Sequence, residues 1–90
     1  MQTNNRISKI VRSKRLSFGL TQKKLAELLG YKQDDNNRII YLIESGRMKV
    51  PKDKLKRLSK VLFIDRVSLA ELLVLDYVKE VEKLLNVRLH

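Results

Sequence analysis

The stretch from residue 20 to residue 46, LTQKKLAELLGYKQDDNNRIIYLIESG, constrains the fold more than any other part of the chain. It reads as two helices separated by a glycine-containing turn. In the first, over residues 22–29, Leu25, Leu28 and Leu29 stand at i, i+3 and i+4 and so share one face. Thr21 sits just ahead of it, where a hydroxyl can accept from the free amides of the first turn. Ala26 is small enough to let the second helix cross close by. Gly30 suits the left-handed exit, where a missing Cβ removes the steric penalty. The second helix is expected over 35–45, with Ile39, Ile40 and Ile43 as its buried stripe and Gly46 as its stop.

Two short helices joined by a tight turn make a helix-turn-helix, an arrangement whose second helix lies in the DNA major groove. The remaining segments read as further helices around it. After a polar lead-in over 1–4, a first helix is expected over 5–18. It turns Ile7, Ile10, Val11 and Phe18 inward and Lys9, Arg12 and Lys14 outward, and Gly19 closes it. The loop over 46–51 carries Arg47, Lys49 and Pro51, the only proline. A fourth helix is expected over 52–62, burying Leu55, Leu58, Val61 and Leu62. Ser68 and Glu71 form a capping-box pattern for a fifth, which then runs without a breaker to about residue 86. No alternating strand pattern occurs, so the fold class is all-α. Residues 1–73 are expected to form the DNA-binding domain, and 74–90 a helical extension continuous with the fifth helix.

Ninety residues suit one domain with a modest core. The formal net charge is +10 and the sequence pI is near 10.2, a field that attracts polyanions. Residues 1–67 hold 17 Lys/Arg against 6 Asp/Glu, while 68–90 hold 3 against 4. A basic body with a near-neutral apolar end suggests that the body meets nucleic acid and the end meets protein. The absence of cysteine rules out disulfides and fits a cytoplasmic location. The first residues lack a signal peptide's apolar core, and no run approaches the roughly 20 apolar residues of a membrane span. Residues 76–90 also lack the strongly basic polar face of a membrane-surface helix.

Enzyme chemistry has little to use here. The only histidine is His90, and there is neither a Gly-rich phosphate loop nor a cluster of metal-ligand type. No catalytic residue, cofactor or metal is expected. Two Phe and three Tyr, with Phe18 assigned to the core, leave few stacking platforms for single strands.

The pattern GLTQKKLAELLG, then Ile40-x-x-Ile43-Glu44-x-Gly46 and Pro51, resembles the lambda-repressor/Cro-like (Xre-type) helix-turn-helix family. Arg12, Arg15 and Gly19 ahead of it belong to the same resemblance, which covers roughly residues 7–73. Those proteins are DNA-binding transcriptional regulators of phages, plasmids and bacteria. The resemblance implies a compact five-helix domain and a repressor or controller, nucleoid-associated in the cytoplasm. Such a protein inserts its third helix into double-stranded DNA at a palindromic operator, as a homodimer. Counting back from Glu44, the base-facing candidates are Asn37, Arg38 and Leu42, with Asn36 and Tyr41 next. Arg38 suits O6 and N7 of guanine, Asn37 suits adenine, and Leu42 suits a thymine methyl. Gln22, at a helix start, is the candidate phosphate contact that its family counterpart makes. Arg47 and Lys49 resemble the family's second backbone clamp, and Lys14 is a third candidate. Arg15 and Glu44 resemble the family's buried ion pair, a structural role suited to a bidentate fork.

The chain departs from the family pattern at one place. Thirteen residues separate Gly30 from Glu44, about one helical turn more than in the shortest members. The economical expectation is that the third helix begins early, near 34–36, with Asp34 and Asp35 as caps and dipole partners. Some phage regulators and restriction–modification controller proteins are similar in this respect. A turn over 32–36 ahead of a normal-length helix is the alternative.

The fifth helix carries more apolar side chains than a small core can use. Leu69, Leu72 and Leu73 are expected inward. Val74, Val78, Val81 and Leu85 follow a 4-3-4 heptad spacing and are expected at a two-fold interface. A sister possibility is an antitoxin or co-regulator of the same fold whose last helix grips a different protein. No small-molecule ligand is expected.

Overall fold

The computed structural model describes residues 5–32 and 38–89, and Asp34, Asp35, Asn36, Asn37 and His90 lie outside them. Within the described residues the chain is all-helical. Its helices are α1 (Arg6–Ser17), α2 (Gln22–Leu28), α3 (Ile39–Glu44), α4 (Leu55–Val61) and α5 (Arg66–Leu85). A 3₁₀ turn at Lys52–Lys54 leads into α4. None of the described helices is long and apolar enough to cross a membrane.

Side chains of all five segments meet in one core. Val11, Leu25, Leu29, Ile40, Leu58 and Leu62 are fully buried, and Leu69 closes the cluster from α5. Each helix contributes one stripe, and α1 touches both α3 and α5. Burying a leucine or isoleucine is worth about 1.5–3 kcal/mol, so this small cluster dominates the stability of the domain.

Local chemistry explains where the helices begin and end. Thr21 Oγ1 accepts from the Lys24 amide at 3.0 Å, and Asn5 Oδ1 accepts from Ser8 at 2.7 Å. Gly30 follows α2 at φ +92°. A Cβ there would lie 2.6 Å from Arg57 Nη1, the mobile end of an exposed side chain, so the backbone angle is the main demand for glycine. At the end of α4 a phenylalanine, Phe63, takes the left-handed position at φ 53°. Ile64 N–H then reaches back to the Ser59 carbonyl at 2.9 Å, and Ser59 Oγ donates to the Ile64 carbonyl at 2.6 Å. These bonds hold Phe63 in a conformation that glycine usually fills.

Several expectations are corrected. Leu28 was expected inward but is 39% exposed. The buried face of α2 is made by Leu25 and Ala26, with Leu29 at its end. Phe18 was also expected inward. It lies beyond the last turn of α1, largely exposed, with its ring 5.5 Å from that of Phe63. Leu55 and Val61 are half-buried, because Pro51 first sets a 3₁₀ turn and α4 starts three residues late. The cap of α5 is Asp65 rather than Ser68. Its carboxylate accepts from the Ser68 amide at 3.1 Å and from the Ser68 hydroxyl at 3.4 Å. Ser68 is thus the third helical residue, and a carboxylate there also suits the helix dipole.

The expected early start of the third helix, near 34–36, lies outside the described residues. Arg38 has φ −133° and ψ −4°, which is not helical, and α3 begins at Ile39. The first helical bond runs from Leu42 N–H to the Arg38 carbonyl at 2.8 Å.

Tyr31, just after Gly30, has a buried hydroxyl with no hydrogen-bond partner among the described residues. Lys54 Nζ lies over its ring, 4.7 Å from the centroid. Burial, and to a lesser extent the Asp53 carboxylate, raises the phenol above its ordinary 10.0.

Candidate nucleic-acid interface

α3 has two faces set by a rotation of about 100° per residue. Ile40, Ile43 and the Glu44 carboxylate occupy the inner face. Arg38, Tyr41, Leu42 and Ser45 fall on the opposite side. Arg38 and Tyr41 are exposed, and Leu42 and Ser45 are half-buried. The Arg38 guanidinium lies 5.5 Å from the Tyr41 ring centroid, so the charge is propped on an aromatic surface. Asn36 and Asn37 lie outside the described residues.

A saturated polar junction fixes the inner face. Arg15 Nε donates to Glu44 Oε2 at 2.6 Å and Nη2 to Oε1 at 3.1 Å. Arg15 Nη1 donates to the Leu20 carbonyl at 2.8 Å. Gln22 Nε2 donates to Glu44 Oε1 at 3.2 Å, tying the start of α2 to the end of α3. The Arg15 and Glu44 side chains are only 8% and 3% exposed. Ser8 Oγ adds a buried bond to the Ile43 carbonyl at 2.7 Å. The end of α3 is thus anchored to α1 and α2 by four side-chain bonds, and the Leu20 bond fixes Arg15 itself.

The phosphate candidates sit in different environments. Gln22 spends one amide hydrogen on Glu44 and keeps the second. Arg47 is exposed, carried by a turn in which Arg47 N–H and Met48 N–H both donate to the Leu42 carbonyl. Gly46 makes this turn possible at φ +76°. Lys14 is half-buried in the last turn of α1. Lys49 is engaged, with Nζ 2.8 Å from Glu80 Oε2 on α5.

Two residues of the junction with α5 escaped the sequence reading. One is Glu80. The other is Asp76, whose Oδ1 accepts from Arg6 N–H at 3.0 Å and whose Oδ2 accepts from Ile7 N–H at 3.1 Å. Asp76 therefore completes the cap of α1 that Asn5 begins. The partners are about seventy residues apart, and nothing in the local sequence signals the contact.

On α5 the expected inward residues Leu69, Leu72 and Leu73 lie in or against the core. Val74 and Leu85 are exposed, and Val78 and Val81 are half-buried. Among the described residues no three His, Cys, Asp or Glu side chains are grouped to hold a metal ion.

A sequence model described as helix-turn-helix matches residues 11–69, more than half of the chain. No curated protein and no solved structure matches it significantly.

Proposed function

The chain belongs to the Cro/C1-type helix-turn-helix family of DNA-binding regulators, and from that premise we propose that it regulates transcription, as a repressor or controller, in the form of a homodimer. Each copy lays α3 in the major groove at one half of a palindromic operator, the halves about 34 Å apart. The observation that carries this reading is the division of α3. Its inner face is locked to α1 and α2, while Arg38, Tyr41 and Leu42 face outward.

In this reading Arg38 reads guanine and Leu42 meets a thymine methyl, with Tyr41 supporting Arg38. Asn37 pairs with adenine, and Asn36 is a further base contact. Gln22 offers its second amide hydrogen to a phosphate, with Arg47, Lys14 and Lys49 around it. Arg15 and Glu44 keep the frame rigid and touch no base. Val74, Val78, Val81 and Leu85 form the two-fold contact.

The test is selection of duplexes from a random pool by the purified protein, followed by salt titration of the winners. A palindromic consensus is expected, with log Kd changing by about 0.9 per log unit of salt for each phosphate neutralised. Arg38→Ala should cost about 1–3 kcal/mol and relax one position per half-site. A pool with no consensus, or an Arg38→Ala loss equal on all sequences, overturns the reading. A monomer in solution would favour α5 holding a different protein, as in an antitoxin or co-regulator.

A further inference from the structure

A groove of about 540 Å³ opens between the start of α1, the loop after α3 and the middle of α5. Its apolar lining includes Ile7, Ile43, Met48, Val50, Leu55 and Leu73, and Lys49 and Glu80 stand on its rim. Beyond it, residues 84–89 carry apolar side chains that the chain leaves uncovered. Leu84 is 76% exposed, Leu85 66% and Leu89 54%. We propose that in the dimer the 84–89 segment of each copy fills this groove on the other, with the two α5 helices antiparallel. The inference rests on the homodimer reading above.

Three observations choose this occupant. First, the groove and the exposed strip are continuous. Stepping about 100° per residue around α5, Leu73 and Tyr77 line the groove, Val81 and Val74 follow, and Leu85 and Val78 complete the arc. A helix laid on the strip therefore borders the groove along its length. Second, reach selects the direction. An antiparallel pair with its axis between Val81 and Glu82 sets Val78 against Leu85 of the partner copy and lays 84–89 alongside 74–79, next to the groove. A parallel pair in register leaves 84–89 about 16 Å along the axis from Leu73, clear of the groove.

Third, the strip alone is short. Three turns from Val74 to Leu85 are little contact for an interface that needs about 800 Å² from each partner. Filling the groove extends it. The chain after α5 is shaped for a second contact. Asn86 is left-handed at φ 54°, Val87 N–H returns to the Glu82 carbonyl, and Leu89 N–H donates to Glu82 Oε2 at 2.6 Å. Val87 and Leu89 are thus held off the helix axis in a fixed turn.

The chain has no cysteine, so a single engineered pair reports the contact. The Met48→Cys/Leu89→Cys double variant is oxidised, run on a denaturing gel and mapped by mass spectrometry, while sedimentation equilibrium gives the mass of the unmodified protein. A dimer with an intermolecular 48–89 link is expected. A dimer without that link overturns the groove inference and leaves the homodimer reading standing. A link within one chain overturns it as well, because the groove is then filled by its own copy. A monomer overturns both readings. Leu89→Glu, outside the helix and exposed, should keep the circular dichroism spectrum and raise the dimer Kd about tenfold. An unchanged Kd rejects the role of Leu89.

Discussion

Two glutamates meet cations on either side of α3, and their surroundings differ. At the junction of α1, α2 and α3, Glu44 is enclosed and receives three bonds from Arg15 and Gln22. At the junction of the following loop with α5, Glu80 meets Lys49 in the open, the side chains 43% and 76% exposed. A buried pair stripped of one partner strands a charge, whereas an exposed pair exchanges with water at little cost. The first junction is therefore a fixed frame. The second is a contact that another anion can replace.

The strongest way to break this contrast is Glu44→Ala. It should cost about 3–5 kcal/mol by leaving the Arg15 guanidinium buried and unpaired. At about 4–8 °C per kcal/mol for a domain of this size, the melting temperature should fall by roughly 12 °C or more. The double variant Arg15→Met/Glu44→Met should recover much of the loss, since neither charge is then stranded. If Glu44→Ala keeps its melting temperature and loses only DNA binding, Glu44 is part of the reading surface and the frame assignment is wrong.

Asp76 should fall between the two glutamates. Its side chain is 17% exposed and it holds two amides of α1. Asp76→Ala is expected to cost about 1–2 kcal/mol in urea unfolding, the range of a lost helix cap. Asp76→Asn keeps an acceptor and should lose less. Equal losses would show that charge, and not hydrogen bonding, is what α1 needs at its start.

Tyr31 sharpens the comparison from the opposite side, as a buried hydroxyl with no partner among the described residues. Tyr31→Phe should stabilise the domain by about 1 kcal/mol, since the hydroxyl is desolvated without return. The raised phenol also predicts a pH dependence. Because its folded pKa lies above the unfolded 10.0, the unfolded chain releases this proton first as pH rises. Its contribution to stability is whole below pH 10 and is lost above it. The unfolding free energies of Tyr31→Phe and the parent, followed from pH 8 to 11, should run parallel and then separate, with the parent falling more steeply. Parallel curves throughout would place the hydroxyl in water.

The sequence made the frame legible because its signals are local. Thr21, Gly30 and Gly46 mark ends that the backbone alone requires, and the Leu/Ile spacing of α2 and α3 specifies which faces turn inward. The resemblance to a known family named Arg15 and Glu44, and the two side chains meet. What stayed hidden depends on distant segments. Leu28 faces out because Leu25, Ala26 and Leu29 make the buried face of α2, and Phe18 faces out because α1 stops at Ser17. Asp65 outcompetes Ser68 as a cap by three residues, a choice both sequences of side chains permit. Asp76 and Glu80 read as ordinary solvated acids on a helix. Only the way α5 lies across α1 and the loop gives them partners.

Glu80→Gln is the subtlest variant and the one that separates a clamp from a brace. Removing an exposed partner should change stability by no more than about 0.5 kcal/mol. The effect belongs in DNA binding. In the parent, Lys49 reaches a phosphate only by giving up Glu80, so part of its charge is already neutralised before DNA arrives. Freed by Glu80→Gln, each Lys49 should release a counterion of its own. The log–log salt slope should then steepen by about 0.9 per copy, with affinity rising severalfold at low salt and little at high salt. Lys49→Met in the same background should return the slope to the parent value. A slope that does not move would mean that Lys49 never faces phosphate, and that the pair serves only to hold the loop against α5.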